Sequence, residues 1–444
     1  MNPTPAFERR TCANGLTAIV MPRPWLQSAC VSVYVRAGSL HESRRLNGIG
    51  HVIEHMVFKG STTRDARRIN LDAERLGAEV DAYTDKDHTA FHLRGLAEHA
   101  PLFVPLLADL LLNPTFPADE FERERQVLLH EYADDADDPV SVACKLFDTV
   151  CFGSHPMAQP VIGTEANLRH FSRDDLAAHL RHRYTACNTV VVAAGAVEPQ
   201  AMLDAIEQAF AAMPAGLPTE VAPAAFQGGL RSRRLAGGGQ LQVMMGWPLP
   251  ALGSDLVDEA TSRLAAAVLG EGMSSPLLEH VREQHALAYY VACSADLLQP
   301  AGAFVVEAST APEQLDAFIG AVHPLLERQA TRIDPDDLQR ARHQMRVRQV
   351  RQAENLPRVM EEAALDLLFR GAIHTDADRR AALEAVDAEA VRQRFETLLT
   401  HPRALVLVGP VTRAMVKRVE AVSVQAGSAT LGKPASAIAS SFSS

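Results

Sequence analysis

The chain has 444 residues, of which 47% are hydrophobic and 22% charged, and it carries a net charge of -11. That length exceeds what a single hydrophobic core sustains, so two domains of roughly 200 residues are expected. The acidic balance argues against a general nucleic-acid or anionic-membrane binder, which needs a basic face for phosphate, and no run of about 18 apolar residues offers a membrane span.

The opening residues, MNPTPAFERRTCANG, lack an apolar stretch of signal-peptide length, and the compartment that fits is the cytoplasm. Cys12, Cys30, Cys144, Cys151, Cys187 and Cys293 contain no CxxC pair and are expected as reduced, mostly buried thiols.

Gly15-Leu-Thr-Ala-Ile-Val-Met and Ala29-Cys-Val-Ser-Val-Tyr-Val-Arg-Ala read as strands, being rich in β-branched residues and bounded by Pro and Gly. Helical stretches follow at about 48–58 and 65–76. Glu79-Val-Asp-Ala-Tyr-Thr and Thr89-Ala-Phe-His-Leu-Arg then form a hairpin around a charged turn, and amphipathic helices cover about 97–113 and 118–134. The Pro-, Ala- and Gly-rich stretch 213–234 reads as an interdomain linker. Beyond it the pattern restarts, with a strand at 240–247, a hairpin around 287–308 and helices at 312–330 and 335–354. Phe116-Pro-Ala-Asp-Glu-Phe-Glu-Arg-Glu-Arg is echoed by Ile333-Asp-Pro-Asp-Asp-Leu-Gln-Arg-Ala-Arg, each opening a long helix. The expected architecture is therefore α+β: two similar domains related by duplication, each a mostly antiparallel sheet with helices packed on it. The boundaries are 1–215, 216–423 and an Ala/Ser/Gly-rich disordered tail over 424–444.

His51-Val-Ile-Glu-His55 carries the chemistry. Residues four apart on a helix share a face, so both imidazoles can reach one ion, while Glu54 lies near enough to act on a water without ligating. Random ordering of a chain with 17 His gives about 0.04 such motifs. A pair of solvated or capping histidines would also explain the spacing. The apolar flanks Val52-Ile53 and Met56-Val57-Phe58 favour a buried helix, however, and burying two imidazoles and a carboxylate without a partner is costly.

A catalytic zinc takes three protein ligands and keeps one position open. Here the chain resembles the pitrilysin-like (M16) metallopeptidases, short-chain type, similar to mitochondrial processing peptidase subunits and bacterial homologues. The resemblance implies Glu131 as third ligand, within Glu124-Arg-Gln-Val-Leu-Leu-His-Glu131, and Glu124 as the carboxylate orienting a ligand histidine. It implies one Zn2+ per chain, held by His51, His55 and Glu131, with Glu54 as catalytic base. Ala78-Glu-Val-Asp-Ala-Tyr-Thr resembles the edge strand on which the family binds extended peptides, assigning Ala82, Tyr83 and Thr84 to substrate. Ser154-His-Pro, Pro160-Val-Ile-Gly-Thr-Glu, Tyr184 and Asn188 also match, and the likeness spans nearly 7–420.

In the second half, Leu269 to Tyr289 resembles the stretch carrying the family's substrate-binding Arg and Tyr, here Arg282 and Tyr289. A guanidinium can hold a peptide carbonyl, and a phenol can donate to a developing oxyanion. The stretch departs from the family pattern at Pro276, where Arg is usual, and at Gln284-His-Ala286, where Lys-Arg-Gly is common. The implied function is a zinc-dependent endopeptidase hydrolysing extended peptides in a two-subunit chamber, as a homodimer or as a heterodimer with a paralogous subunit. Two alternatives stay open: a non-catalytic partner of an active paralogue, and a dedicated maturation protease for a small ribosomal peptide.

Overall fold

Val- and Ala-rich runs at Ser28–Val35 and Thr189–Gly195 are buried at almost every position, a pattern that requires cover on both faces of a sheet. The computed structural model, which describes residues 7–430 apart from Gly237 and Ser254, supplies that cover twice over. Strands β1 (Glu8–Thr11), β2 (Thr17–Pro22), β3 (Ser28–Val35), β4 (Glu79–Thr84), β5 (Thr89–Leu96) and β6 (Thr189–Gly195) form one sheet in the order β1-β2-β6-β3-β5-β4. Strands β7 (Gly229–Arg234), β8 (Leu241–Leu249), β9 (Tyr290–Leu297), β10 (Gly302–Thr310) and β11 (Ala404–Gly409) form a second in the order β7-β11-β8-β10-β9.

The two orders are one topology. β2 runs parallel to β6 as β7 does to β11, and every other pairing is antiparallel in both. The sheets differ by the extra strand β1. The α+β fold with two similar halves is as expected.

Helices α1 (Ile49–Met56), α2 (Ala66–Arg75), α3 (Ala100–Leu112), α4 (Ala118–Asp137), α5 (Pro139–Phe152), α6 (Glu165–His170), α7 (Arg173–Arg183) and α8 (Pro199–Ala209) come from the first half. The second supplies α9 (Leu256–Gly270), α10 (Pro276–Leu278), α11 (Leu315–Thr331), α12 (Pro335–Ala353), α13 (Leu356–Arg370), α14 (Asp376–Ala385), α15 (Ala388–Leu399) and α16 (Arg413–Thr430). One face of each sheet is covered by its own helices, giving the two large cores.

The other faces are covered by exchange. Phe147, Val150 and Cys151 of α5 pack with Met244, Val305 and Val406 of the second sheet. This is possible because Gly246 lacks a side chain: a Cβ there would sit 2.3 Å from the Phe147 ring. In return, Met360, Ala363, Ala364 and Phe369 of α13 pack on Ile19, Tyr34 and Val192 of the first sheet.

Two stretches depart from expectation. Residues 229–234, read as linker, form β7, because the edge of β11 offers a parallel partner to a sequence with no apolar alternation of its own. The segment before it is tied down, since Asn188 donates to the Leu217 carbonyl at 2.9 Å and accepts from the Thr219 amide at 2.8 Å. At the other end α16 runs to Thr430, so the first residues of the expected tail are helical, and 431–444 lie outside the described residues. All six cysteines are free and none is fully exposed. No described helix is long and apolar enough to cross a membrane.

Candidate metal centre

The helix that bears the histidines starts at Gly48, whose φ of 95° suits glycine and whose would-be Cβ lies 2.7 Å from the Gly163 Cα. Gly163, in the Pro160-to-Glu165 motif, thus has a packing role: it admits the backbone at the head of α1. Asn47 donates to the Pro160 carbonyl at 2.9 Å, and Asn167 donates to that of Asn47 at 3.0 Å.

The amides at this helix start need acceptors. Glu42, which sequence reasoning missed, supplies them: its carboxylate accepts from the Gly48 amide at 2.7 Å, the Gly50 amide at 2.8 Å and Asn47 Nδ2 at 3.1 Å. Glu42 is 4% exposed, and burial pushes its carboxyl up to about 7 despite these three donors. Its three donors lie only 5, 6 and 8 residues further along the chain, but a lone acidic residue in a loop carries no sign in the sequence that it will be buried as a cap.

Apolar Ile49, Val52, Ile53 and Met56 turn one face of α1 into the core, leaving His51, Glu54 and His55 on the other. α4 brings Glu131 opposite: its Oε2 lies 3.9 Å from His51 Nε2 and 3.8 Å from His55 Nε2. One donor atom from each of the three residues lies within 4.8 Å of the others, the one such group among the described residues. Donors bound to a single tetrahedral zinc lie roughly 3.3–3.5 Å apart, so the Glu131 oxygen stands within about half an ångström of that spacing from each imidazole.

The residues present fit such an ion. His51 Nδ1 is buried without a hydrogen-bond partner, and burial, with the neighbouring His55, lowers the His51 pKa to about 4, leaving the neutral, ligating form. His55 is oriented from behind, its Nδ1 3.1 Å from Glu124 Oε2, while Glu124 Oε1 takes Lys59 at 2.6 Å. Burial raises the Glu124 carboxyl, but the hydrogen bonds from Lys59 and His55 outweigh it and hold the group below its ordinary range. Glu131 keeps 42% of its side chain exposed, so the cluster opens to solvent on that side.

Glu54 sits beside the cluster with Oε2 accepting from the Thr84 hydroxyl at 2.6 Å. Burial holds its carboxyl above the ordinary range, only partly offset by that hydroxyl and by His55. Thr84, Tyr83 and Ala82 end β4, at the edge of the sheet, beside α1.

Arg282 and Tyr289 stand apart from this cluster within the chain. Arg282 lies in a π-helical turn, Glu279–Gln284, with Met273 Sδ at 3.8 Å and Glu283 at 3.8 Å as its side-chain partners. Tyr289 is 78% exposed, its amide donating to the Ser309 carbonyl. Neither bonds to His51, Glu54, His55 or Glu131. Between them Ala286 has a φ of 48°, rare for a residue with a side chain. A π-turn and a strained residue together recur at working loops.

Comparison with known proteins points to a zinc-protease family. The family model described as "Insulinase (Peptidase family M16)" matches residues 20–165, and "Peptidase M16 inactive domain" matches 170–345. An uncharacterised zinc protease of Mycobacterium tuberculosis is 34% identical over 331 residues, covering 72% of this chain and 74% of its own length. One from Bacillus subtilis is 28% identical over 406 residues, 91% of this chain and 98% of the relative. The mitochondrial-processing peptidase subunit beta of Lentinula edodes is 32% identical over 210 residues, 47% of this chain and 45% of its own. In fold, the chain superimposes on a protease from Helicobacter pylori with a TM-score of 0.82 at 20% identity, covering 91% of this chain and 99% of that one.

Proposed function

The chain belongs to the M16 peptidase family, which supports zinc-dependent peptidase activity, and we propose that it is a zinc endopeptidase acting on peptides bound in extended form. The observation that carries this reading is the convergence of His51 Nε2, His55 Nε2 and the Glu131 carboxylate with Glu54 alongside. His51, His55 and Glu131 would hold one zinc per chain, in a zinc-binding half spanning 1–215. When bound, zinc supplies Lewis-acid polarisation of a carbonyl and lowers the pKa of a water.

The chain's own residues do the rest. An extended peptide adds to the free edge of β4 at Ala82, Tyr83 and Thr84, pairing backbone to backbone. Thr84 occupies Glu54 Oε2, so Oε1 is the atom that takes a proton from the attacking water and returns it to the leaving amine. The raised Glu54 pKa suits a group that must both accept and release a proton. Arg282 and Tyr289, exposed and without carboxylate partners nearer than 3.8 Å, supply carbonyl binding and an oxyanion donor from the facing half of a second subunit.

The test joins metal analysis to a quenched fluorescent peptide library. About one zinc per chain, with cleavage abolished by a chelator and restored by zinc, is expected. A chain that binds zinc yet cleaves nothing, alone or with a paralogous subunit, would overturn the peptidase reading.

A further inference from the structure

Strand β4 has one backbone partner, β5, because it ends the sheet. A strand held along one side relies on side-chain anchors to fix its height and tilt. Two such anchors occur on consecutive residues, which point to opposite faces of the sheet. On the face toward α1, Thr84 donates to Glu54 at 2.6 Å. On the face toward α13, the Tyr83 hydroxyl donates to Glu361 Oε1 at 2.5 Å, a bond spanning 278 residues of sequence.

The second anchor is itself braced. Glu361 Oε2 takes Arg358 at 2.7 Å. The Tyr83 oxygen also lies 3.0 Å from His88 Nε2, and His88 Nδ1 meets Asp87 at 2.6 Å. The Tyr83 ring stacks on His92, with centroids 5.6 Å apart and planes at 24°. Burial and the Glu361 carboxylate oppose ionisation of the phenol, which therefore remains a donor.

From this geometry we propose that Tyr83 and Glu361 are positioning residues for Glu54: the hydrogen bond from β4 to α13 clamps the edge strand so that Thr84 holds the Glu54 carboxylate in place. The exchange of α13 onto the first sheet then has a catalytic consequence, since the second half of the chain sets the height of the strand that orients the base of the first. An interface bond that only glued the halves together would contribute stability and leave the base unaffected. The catalytic part of the inference rests on the peptidase reading; the clamp on β4 does not.

The experiment uses the full zinc-loaded chain with Tyr83→Phe, Glu361→Leu, their double mutant, Glu361→Gln and Thr84→Val. A peptide from the fluorescent library reports kcat, and hydrogen–deuterium exchange reports the backbone amides of 79–84. Loss of one hydrogen bond to a charged partner predicts about a tenfold fall in kcat for Tyr83→Phe and for Glu361→Leu, with no further fall in the double mutant. Both single variants exchange β4 amides faster by a similar factor, at unchanged zinc content. Glu361→Gln, which keeps an acceptor, restores most of the rate. Thr84→Val, which removes the other anchor together with the Glu54 bond, lowers kcat and also speeds exchange of the β4 amides.

Unchanged exchange in Tyr83→Phe and Glu361→Leu overturns the clamp, and additive losses in the double mutant overturn their action as a pair. A lower melting temperature with kcat and exchange intact assigns the bond to stability alone and overturns the proposal. If the wild type binds zinc and cleaves no peptide, the peptidase reading falls, and the exchange arm still decides whether the clamp exists.

Discussion

Helices α1 and α9 each follow a central strand of their sheet, and each carries polar side chains against the interior. In α9 the buried Glu259 meets Arg370, which also pairs with Asp366. Asp366 in turn takes the His374 amide at 2.8 Å and Arg379 at 2.8 Å. In α1, by contrast, both histidine Nε2 atoms stand nearly 4 Å from Glu131, beyond a hydrogen bond. One topology therefore holds two kinds of polar cluster, one buried and one open to solvent on the Glu131 side. A cluster whose charges all find partners inside the protein stabilises a fold. One that leaves donors converging on a common point suits a ligand.

That contrast is broken most sharply by Glu54→Gln, which keeps shape but loses the base. Peptide turnover is expected to fall by about 10²- to 10⁴-fold, with zinc content and melting temperature close to wild type. Full activity in this variant would remove the distinction between the two clusters. Glu259→Ala is the mirror experiment. It leaves Arg370 with Asp366 as its remaining partner, and losing the charged hydrogen bond to Glu259 costs about 1.5–3 kcal/mol of stability. Its folded fraction should still bind zinc and cleave at the wild-type rate per folded molecule, as thermal melts alongside turnover would show.

The second half enters chemistry through Arg282 and Tyr289. Tyr289 is exposed, so Tyr289→Phe is expected to leave the melting temperature unchanged and lower kcat by about 10²-fold, the range for one oxyanion donor. Mixing Arg282→Ala or Tyr289→Phe chains with Glu54→Gln chains should restore part of the activity, because one composite site in the mixed dimer is intact. No recovery after verified subunit exchange would confine both residues to a site made within one chain.

What could be read from the sequence follows the range of the interactions involved. His51, Glu54 and His55 were legible because a helix brings residues four apart together without help from the rest of the fold. Glu131 is 76 residues beyond His55 in the sequence, and only resemblance to a family pointed to it. Glu361 was not legible, since a bond across 278 residues exists only after both halves have packed, and Glu42 was not because a lone loop carboxylate shows no sign of burial even with its donors 5 to 8 residues away. β1 and β7 were missed for a related reason. Both are edge strands with mostly exposed, Arg-rich sequences, so hydrophobic periodicity had nothing to report. The positions of α5 and α13 were equally hidden: each packs on the sheet made by the other half, and amphipathicity shows that a helix has an apolar face but not which sheet will cover it.

The smallest expected effect concerns acid, and it again separates the halves. The buried histidines His41, His88 and His179 all belong to the first half, and no second-half histidine among the described residues is buried. Burial, with Arg183 nearby, lowers His41 to about 3 from its ordinary 6.5, and the same causes lower His179 to about 3. Between pH 6.5 and 3 the unfolded chain therefore binds a proton at each of these two positions that the native chain refuses. Their contribution to stability is complete above pH 6.5 and is lost as pH falls towards 3. His88 works in the opposite sense, since Asp87 outweighs its burial and raises its pKa. Replacing one proton acceptor, in His179→Gln, should lower the acid midpoint of the metal-free chain by about half a pH unit in circular dichroism. His401→Gln, at an exposed site in the second half, should leave that midpoint in place. Equal shifts in the two variants would mean that the acid response does not originate in the buried first-half histidines.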